Sequence, residues 1–323
     1  MAFGRMKAVL AAAAILVTQA HAAEALRIEA HKVEAKSTAY EIAAQYPSTG
    51  LAAIDTEIKA WIDAEVAQFK KQAAPEPGSA LGPWTLDIAY TVERNDTEVL
   101  ALSFTESTYT GGAHGSHFFR TYNYLLPDGR RVDLAQILDG RKGLAKLSAF
   151  AVADLDKRLG GPDGMTDAQW IRRGAGPDWG NFENFLLLSD ALKIKFPPYQ
   201  VAAYAAGPQE VRVPLSALDG VLRADRRAPV ASFDCAKAAT PVERAVCADS
   251  ALARLDREVA QAYGVRLGAV EAEADKQAIR TTQRAWLQRR DAACKEKETA
   301  GSELGACLTG VYRMRLDELS AQP

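Results

Sequence analysis

Between residues 26 and 222, apolar and polar residues alternate with a period of two in several segments; beyond residue 232 they recur every three or four. The first regime reads as strands with some helix, the second as helices alone. Leu26, Ile28 and Ala30 open an alternating stretch that closes at Tyr46-Pro47-Ser48. Ile54, Ile58, Trp61, Ile62, Val66 and Phe69 then place one apolar stripe on a helix over about 51–70, and the proline-rich stretch from Ala73 to Pro83 ends it. Trp84, Leu86, Ile88 and Tyr90 alternate again, Asn95-Asp96 turns the chain and Val99 returns it, so an antiparallel meander is expected.

The least ordinary stretch is Tyr109-Thr-Gly-Gly-Ala-His-Gly-Ser-His-Phe-Phe119, set between the alternating runs 99–107 and 117–125. Glycine at Gly111, Gly112 and Gly115 permits positive φ and close backbone approach, which suits a shaped loop displaying His114 and Ser116. Two readings are open: a loop that only turns the chain, or a binding loop. Further on, Pro127-Asp128-Gly129 is a turn and Asp133 caps a short helix over 134–138. Leu144 to Leu159 is an amphipathic helix, 160–180 is glycine-rich and expected to be irregular, and 182–188, 192–196 and 211–213 are short strands. Pro197-Pro198-Tyr199 forces an extended bend whose aromatic is either packed or an exposed anchor.

Arg223 to Ser232 is polar, carries a proline and marks the change of regime. The expected organisation is therefore a signal peptide at 1–22, an α+β domain with an antiparallel sheet and packed helices at 24–222, a linker at 223–232, and a small disulfide-linked helical domain at 233–323. In that last part Thr240-Pro241-Val242-Glu243 combines an N-cap, proline at the first helical position and a capping-box glutamate. Asp249 caps a longer helix that buries Leu252, Leu255, Val259 and Tyr263; 274–293 and 304–319 supply two more.

Composition narrows the function classes. Arg5 and Lys7, an apolar run over 8–17 too short to span a bilayer, and Ala20-His21-Ala22 form an export signal with cleavage expected after Ala22. No cysteine lies near that site, and no later apolar run is long enough to cross a membrane. The protein is thus expected to be periplasmic or secreted. Its formal charge of −2 becomes −4 without Arg5 and Lys7, which argues against nucleic acid. All four cysteines, Cys235, Cys247, Cys294 and Cys307, lie in the helical part. Export and an even count favour two disulfides over zinc, whose modules use shorter spacings with histidine. Three pairings are open; Cys235 with Cys247 and Cys294 with Cys307 is preferred, because each pair brackets a turn at a helix end.

Motifs for catalysis are scarce. The chain has no Gly-x-Ser-x-Gly elbow, no phosphate-binding Gly-x-x-x-x-Gly-Lys loop and no His-Glu-x-x-His helix. After signal cleavage only His31, His114 and His117 remain, so a histidine-based mechanism would have to pass through the glycine loop. No cofactor is implied. His114 and His117 stand three apart on a loop between strands, a spacing at which their side chains diverge, and no metal site is expected.

The region from Leu26 to Leu222 resembles the extracytoplasmic domain pair of RsiV-like anti-sigma factors, which sense lysozyme, and of some peptidoglycan deacetylases, where it precedes the catalytic domain. The resemblance is carried by the Tyr109–Gly115 loop, Asp128-Gly129 with Val132-Asp133-Leu134, and Leu192-Lys-Ile-Lys-Phe-Pro-Pro-Tyr199 with Val211-Arg-Val-Pro214. Neither a sigma-binding segment nor a deacetylase domain accompanies it here. The region from Phe233 to Leu319 resembles LprI-type lysozyme inhibitor modules through Phe233-Asp-Cys235, Thr240 to Cys247, Gln283 to Asp291 with Cys294, and Cys307-Leu308 with Tyr312-Arg-Met-Arg315.

These resemblances imply a non-enzymatic binding protein whose partner is lysozyme or a related cell-wall hydrolase; the alternatives are a module that binds peptidoglycan or glycan directly and a hydrolase acting on cell-wall material through His114. Lysozyme works through two carboxylates in an open cleft. An inhibitor therefore needs a protruding, preorganised loop that fills the cleft and offers donors. Tyr109, Gly111, Gly112, His114, Ser116 and Tyr199 are the expected partner-binding residues. In the helical part Asp256, Arg284, Arg289, Arg290 and Asp291 are candidates too, against the alternative of a solvated helix face with ion pairs.

Overall fold

The computed structural model of the chain describes residues 25–73, 82–160, 166–226, 230–297 and 301–320. The expected signal peptide and most of the proline-rich loop lie outside the described residues. The first strands, β1 (Glu29–Lys36) and β2 (Tyr40–Ser48), pair antiparallel. Helix α1 (Ala52–Ala73) leads to β3 (Trp84–Asn95), followed by β4 (Val99–Tyr109), β5 (Ser116–Leu125) and the short β6 (Arg130–Arg131). These six strands lie in sequence order in one sheet. It is mixed rather than wholly antiparallel: β2 and β3 run parallel. The reason is α1, which carries the chain back along the sheet between them, as a parallel pair requires.

Period-two alternation buries both faces of this sheet. Leu100, Leu102 and Phe104 of β4, with Tyr122 and Tyr124 of β5, point to the stripe Ile54, Ile58, Ile62, Val66 and Phe69 of α1. On the other face Val99, Ala101 and Leu125 join a second cluster, built by α2 (Leu134–Ile137), α3 (Gly140–Leu159), α4 (Ala168–Ala175) and a three-stranded antiparallel sheet of β7 (Phe185–Leu187), β8 (Ala191–Phe196) and β9 (Gln209–Pro214). Between the two sheets, buried Asn123 of β5 mimics a strand backbone: its Nδ2 donates to Phe185 O at 2.9 Å and its Oδ1 accepts from Leu187 N at 2.7 Å.

Helix α4 lies in the 160–180 stretch, where glycine content hid it. Asp167 caps it, accepting from Trp170 N at 2.7 Å, and Ile171 and Ala175 enter the core. Gly174 does not break this helix; it lets it approach the 197–200 turn. A Cβ there would stand 1.9 Å from Gln200 O.

The helical part comprises α5 (Pro241–Ala248), α6 (Ser250–Gly268), α7 (Glu273–Ala293) and α8 (Gly301–Ser320). Thr240 and Glu243 form the expected capping box, and Asp249 accepts from Ala251 N and Leu252 N. The core holds Val242, Val246, Leu252, Leu255, Val259, Trp286, Leu304, Leu308 and Tyr312. So small a core gains from cross-links, typically a few kcal/mol each. The bonds are Cys235–Cys247 and Cys294–Cys307, with Cα separations of 5.7 and 5.9 Å. No helix among the described residues is long and apolar enough to cross a membrane.

Candidate functional site

The loop 110–115 projects from the β4–β5 hairpin with Thr110, Gly112, Ala113 and His114 exposed. Its glycines have different reasons. Gly111 takes φ +88°, the left-handed region that side chains avoid. At Gly115 a Cβ would stand 2.9 Å from Thr108 O, so the hairpin closes only without one. Gly112 has room, since its nearest neighbour to an added Cβ is at 3.8 Å.

A second segment meets this tip. In the turn 197–200, Gln200 N donates to Pro197 O at 3.2 Å and Tyr199 has φ +71°. Positive φ at the third position of a turn belongs to type II geometry, which glycine or asparagine normally fills. A tyrosine held there is strained by about 1 kcal/mol or more. Three anchors hold it: Gln200 Nε2 donates to Gly174 O (2.8 Å) and Asn181 O (3.0 Å), and Trp170 Nε1 donates to Tyr199 O (3.0 Å). The result is a tyrosine whose backbone is fixed while its side chain stays out, 55% exposed. The structure thus selects the exposed alternative for Tyr199 over the packed one.

His114, Tyr199 and half-buried Tyr204 form one aromatic group. The imidazole stacks on Tyr204 at 3.9 Å between centroids and 18° between planes, and Tyr199 lies 6.4 Å from His114 and 5.6 Å from Tyr204. Polar contacts join them: Tyr204 Oη donates to Gly115 O at 2.9 Å, His114 Nδ1 lies 2.9 Å from Gly115 O, and Tyr199 Oη lies 3.4 Å from His114 Nε2. What results is a firm, exposed platform of three rings. Such a surface can stack on a flat or apolar group and exchange hydrogen bonds at its rim.

The other expected residues lie at the base of the loop rather than among the three rings. Ser116 is exposed at the start of β5, while Tyr109 ends β4 half-buried, in register with Thr85. His117 belongs to β5 rather than to the loop. It faces Ser107 across the ladder, with Nδ1 2.9 Å from that hydroxyl, so the two imidazoles do not converge. Among the described residues no group of three or more His, Cys, Asp or Glu is arranged to hold a metal. Sequence reasoning missed Tyr204 and Trp170. Their signal was weak: a tyrosine five residues after Tyr199, and a tryptophan in a stretch read as irregular.

In the helical part, Asp256 and Arg290 are corrected from surface candidates to core residues. Tyr312 Oη donates to Asp256 Oδ1 at 2.9 Å and receives Arg290 Nη1 at 2.9 Å; Ser232 N donates to Asp256 Oδ2 at 2.8 Å. Burial pushes the Tyr312 hydroxyl well above its usual range, so it stays a donor. Asp291 pairs with Arg290 at 2.7 Å, and of the five candidates only Arg284 and Arg289 stand exposed.

Three family models match successive stretches: Deacetylase PdaC at 33–117, a protein of unknown function (DUF3298) at 137–216, and Lysozyme inhibitor LprI at 235–319. The peptidoglycan-N-acetylmuramic acid deacetylase PdaC of Bacillus subtilis strain 168 is 27% identical over 186 residues, 57% of this chain and 39% of that protein. The chain therefore spans well under half of that relative. Two solved DUF3298 family proteins, from Pseudomonas aeruginosa PAO1 and Bacteroides fragilis NCTC 9343, are 16% and 18% identical with TM-scores of 0.44 and 0.42. Each comparison covers 62% of this chain and 96% of the solved one.

Proposed function

We propose that this succession of modules is an exported, non-enzymatic binding protein whose partner is lysozyme or a related peptidoglycan hydrolase, and that it inhibits that enzyme. The division is a sheet domain at 24–222, a linker at 223–232 and a helical domain at 233–323. Two disulfides fit an oxidising, extracytoplasmic compartment, and the match to Lysozyme inhibitor LprI over 235–319 supports a lysozyme partner.

The observation that carries the reading is the tip: exposed Tyr199, fixed at φ +71° beside the stacked pair His114 and Tyr204. A cleft with catalytic carboxylates is blocked by a preorganised protrusion that inserts an aromatic and presents donors. Tyr199 supplies the ring, the His114 imidazole and the Ser116 hydroxyl supply rim donors, Gly111 and Gly112 let the loop narrow, and Tyr109 supports its base. The test is lysis of a peptidoglycan suspension by lysozyme, with the purified mature chain added. Inhibition that Tyr199→Ala relieves supports the reading; an unchanged lysis rate and no complex at micromolar protein refute it.

The same three-ring platform favours one second reading, direct binding of a glycan strand, because sugar rings stack on exposed aromatics. Sedimentation of the chain with insoluble peptidoglycan in the absence of any lysozyme would favour it.

A further inference from the structure

Strand β1 is an edge of the six-stranded sheet: β2 lies on one side of it, and no strand among the described residues pairs with the other. Which backbone groups face that open side follows from the β1–β2 hairpin. Ser37 N donates to Tyr40 O at 2.8 Å, so Ser37 turns its N–H toward β2; through the unbroken register, Ala35, Val33, His31 and Glu29 turn the same way. Ala30, Lys32, Glu34 and Lys36 therefore direct N–H and C=O outward, from a strand whose side chains are mostly exposed. Charge on such an edge ordinarily keeps it single. The charges of β1 are arranged differently, because their order is complementary to itself.

Val33 and Ala35 pack with Ile42 and Ala44 toward α1, which leaves Lys32, Glu34 and Lys36 on the opposite face. In an antiparallel ladder, residues directly opposite either both turn their backbone groups to each other or both turn them away. Two copies of β1 can therefore pair only with even-numbered residues opposite even and odd opposite odd. With Val33 on the two-fold axis, Lys32 stands opposite Glu34 of the second copy, Glu34 opposite its Lys32, and His31 opposite its Ala35. The nearest shifts instead place Lys32 opposite Lys32, or Glu34 opposite Glu34, and like charges there repel. Charge thus selects one register. Lys32 and Glu34 already pair along their own strand, both largely exposed. A second copy joins two such pairs into a ring of alternating sign, so the existing contact is extended rather than broken. Lys36 keeps its partner Glu41 on β2, and Glu29 keeps Arg27. On the other face, half-buried Val33 meets its own copy and closes apolar surface.

We propose that β1 pairs with β1 of a second copy of this chain across a two-fold axis at Val33, joining two sheets into one. Strands β2 and β3 separate this edge from the β4–β5 hairpin, so the test is independent of what the aromatic tip binds. Sedimentation equilibrium of the full mature chain, up to about 1 mM, is expected to show a monomer–dimer equilibrium. Lys32→Glu alone and Glu34→Lys alone each turn both cross-strand pairs into like charges, and each should weaken self-association at least about tenfold. Mixing these two variants in equal amounts restores opposite charges at every pair, so the mixture should dimerise as the wild type does. Glu34→Pro removes an outward N–H and leaves the β1–β2 ladder intact, as proline allows on an edge strand. It should abolish the dimer while thermal unfolding at low concentration stays near that of the wild type. Any of three results overturns the proposal: a wild type that stays monomeric throughout, single charge variants that associate as strongly as the wild type, or a mixture that associates no better than its components. Dimerisation that survives Glu34→Pro overturns it as well, because the contact would then lie elsewhere.

Discussion

The imidazole of His114 lies flat on the ring of Tyr204, 3.9 Å away, while the Tyr204 hydroxyl bonds to the carbonyl of Gly115, the residue after that histidine. One tyrosine therefore holds both the side chain and the backbone of the loop tip. Tyr199 completes the group from a backbone conformation that tyrosine avoids. Strain kept at an exposed aromatic, with three hydrogen bonds from Gln200 and Trp170 to maintain it, has no packing benefit to explain it.

That strain gives the first prediction. Tyr199→Gly should unfold at higher denaturant than Tyr199→Ala, by about 1 kcal/mol, because both remove the ring and only glycine is relaxed at φ +71°. Partner binding should fall at least about tenfold in both variants, as for loss of a central aromatic. Equal stability of the two would show that the turn relaxes without its ring.

The glycines make a graded series. Gly112→Ala should be near neutral, within about 0.5 kcal/mol. Gly115→Ala should cost about 1–3 kcal/mol, since the new Cβ meets a carbonyl at 2.9 Å. Gly174→Ala should be worst, because at 1.9 Å from Gln200 O the helix and the turn must separate. It should also release Tyr199, so partner binding should fall with stability, as denaturation and titration of the same samples would show.

How far the chain reveals all this depends on the range of the interaction. Period-two and period-3.6 patterns mark burial on one face, so β3, β4, α1, α6 and the caps at Thr240 and Asp249 were legible. The parallel pairing of β2 with β3 was not, because nothing local distinguishes a strand's partners. Helix α4 was masked by Gly174, whose purpose is a contact 26 residues away. The glycine loop was visible by composition and Tyr199 by its prolines, but their meeting through Tyr204 is purely tertiary. Arg290 and Asp256 misled for the opposite reason: charged residues read as surface when a buried tyrosine satisfies both.

That buried triad yields the next prediction. Tyr312→Phe removes one hydroxyl and deprives both Asp256 and Arg290 of a partner, which should destabilise the helical part by about 1–3 kcal/mol in urea or thermal unfolding. Arg284→Ala and Arg289→Ala, both exposed, should stay within about 0.5 kcal/mol. A silent Tyr312→Phe would mean that the two charged groups pair without it.

The two disulfides should differ in reactivity. Cys235 is exposed with Cys247 half-buried, whereas Cys294, at the end of α7, is wholly buried with Cys307 half-buried. Attack by a reductant needs access to a sulfur. Mild reduction followed by alkylation and peptide mapping should therefore label Cys235 and Cys247 first, with Cys294 and Cys307 modified only as the helices open. Simultaneous labelling would show that the module unfolds as a unit once either bond is cut.

Glu106 supplies the pH dependence. Burial first, then the charge of Glu65, raises its carboxyl pKa above the ordinary glutamate value, while Arg120 opposes the shift. The folded state consequently binds this proton more tightly than the unfolded chain. Stability from this group is present below the unfolded value of about 4.3 and is lost as pH rises through the folded value. At pH 7 the charged form is a cost that Glu106→Gln removes, so the variant should be slightly more stable than the wild type there. The gain should be under about 1 kcal/mol, because the side chain is only half-buried and solvent screens it. On acidification the two proteins should converge as Glu106 takes up its proton. Melting curves at pH 7 and near pH 4 decide this: a difference that persists at low pH would mean that glutamine changes packing rather than charge.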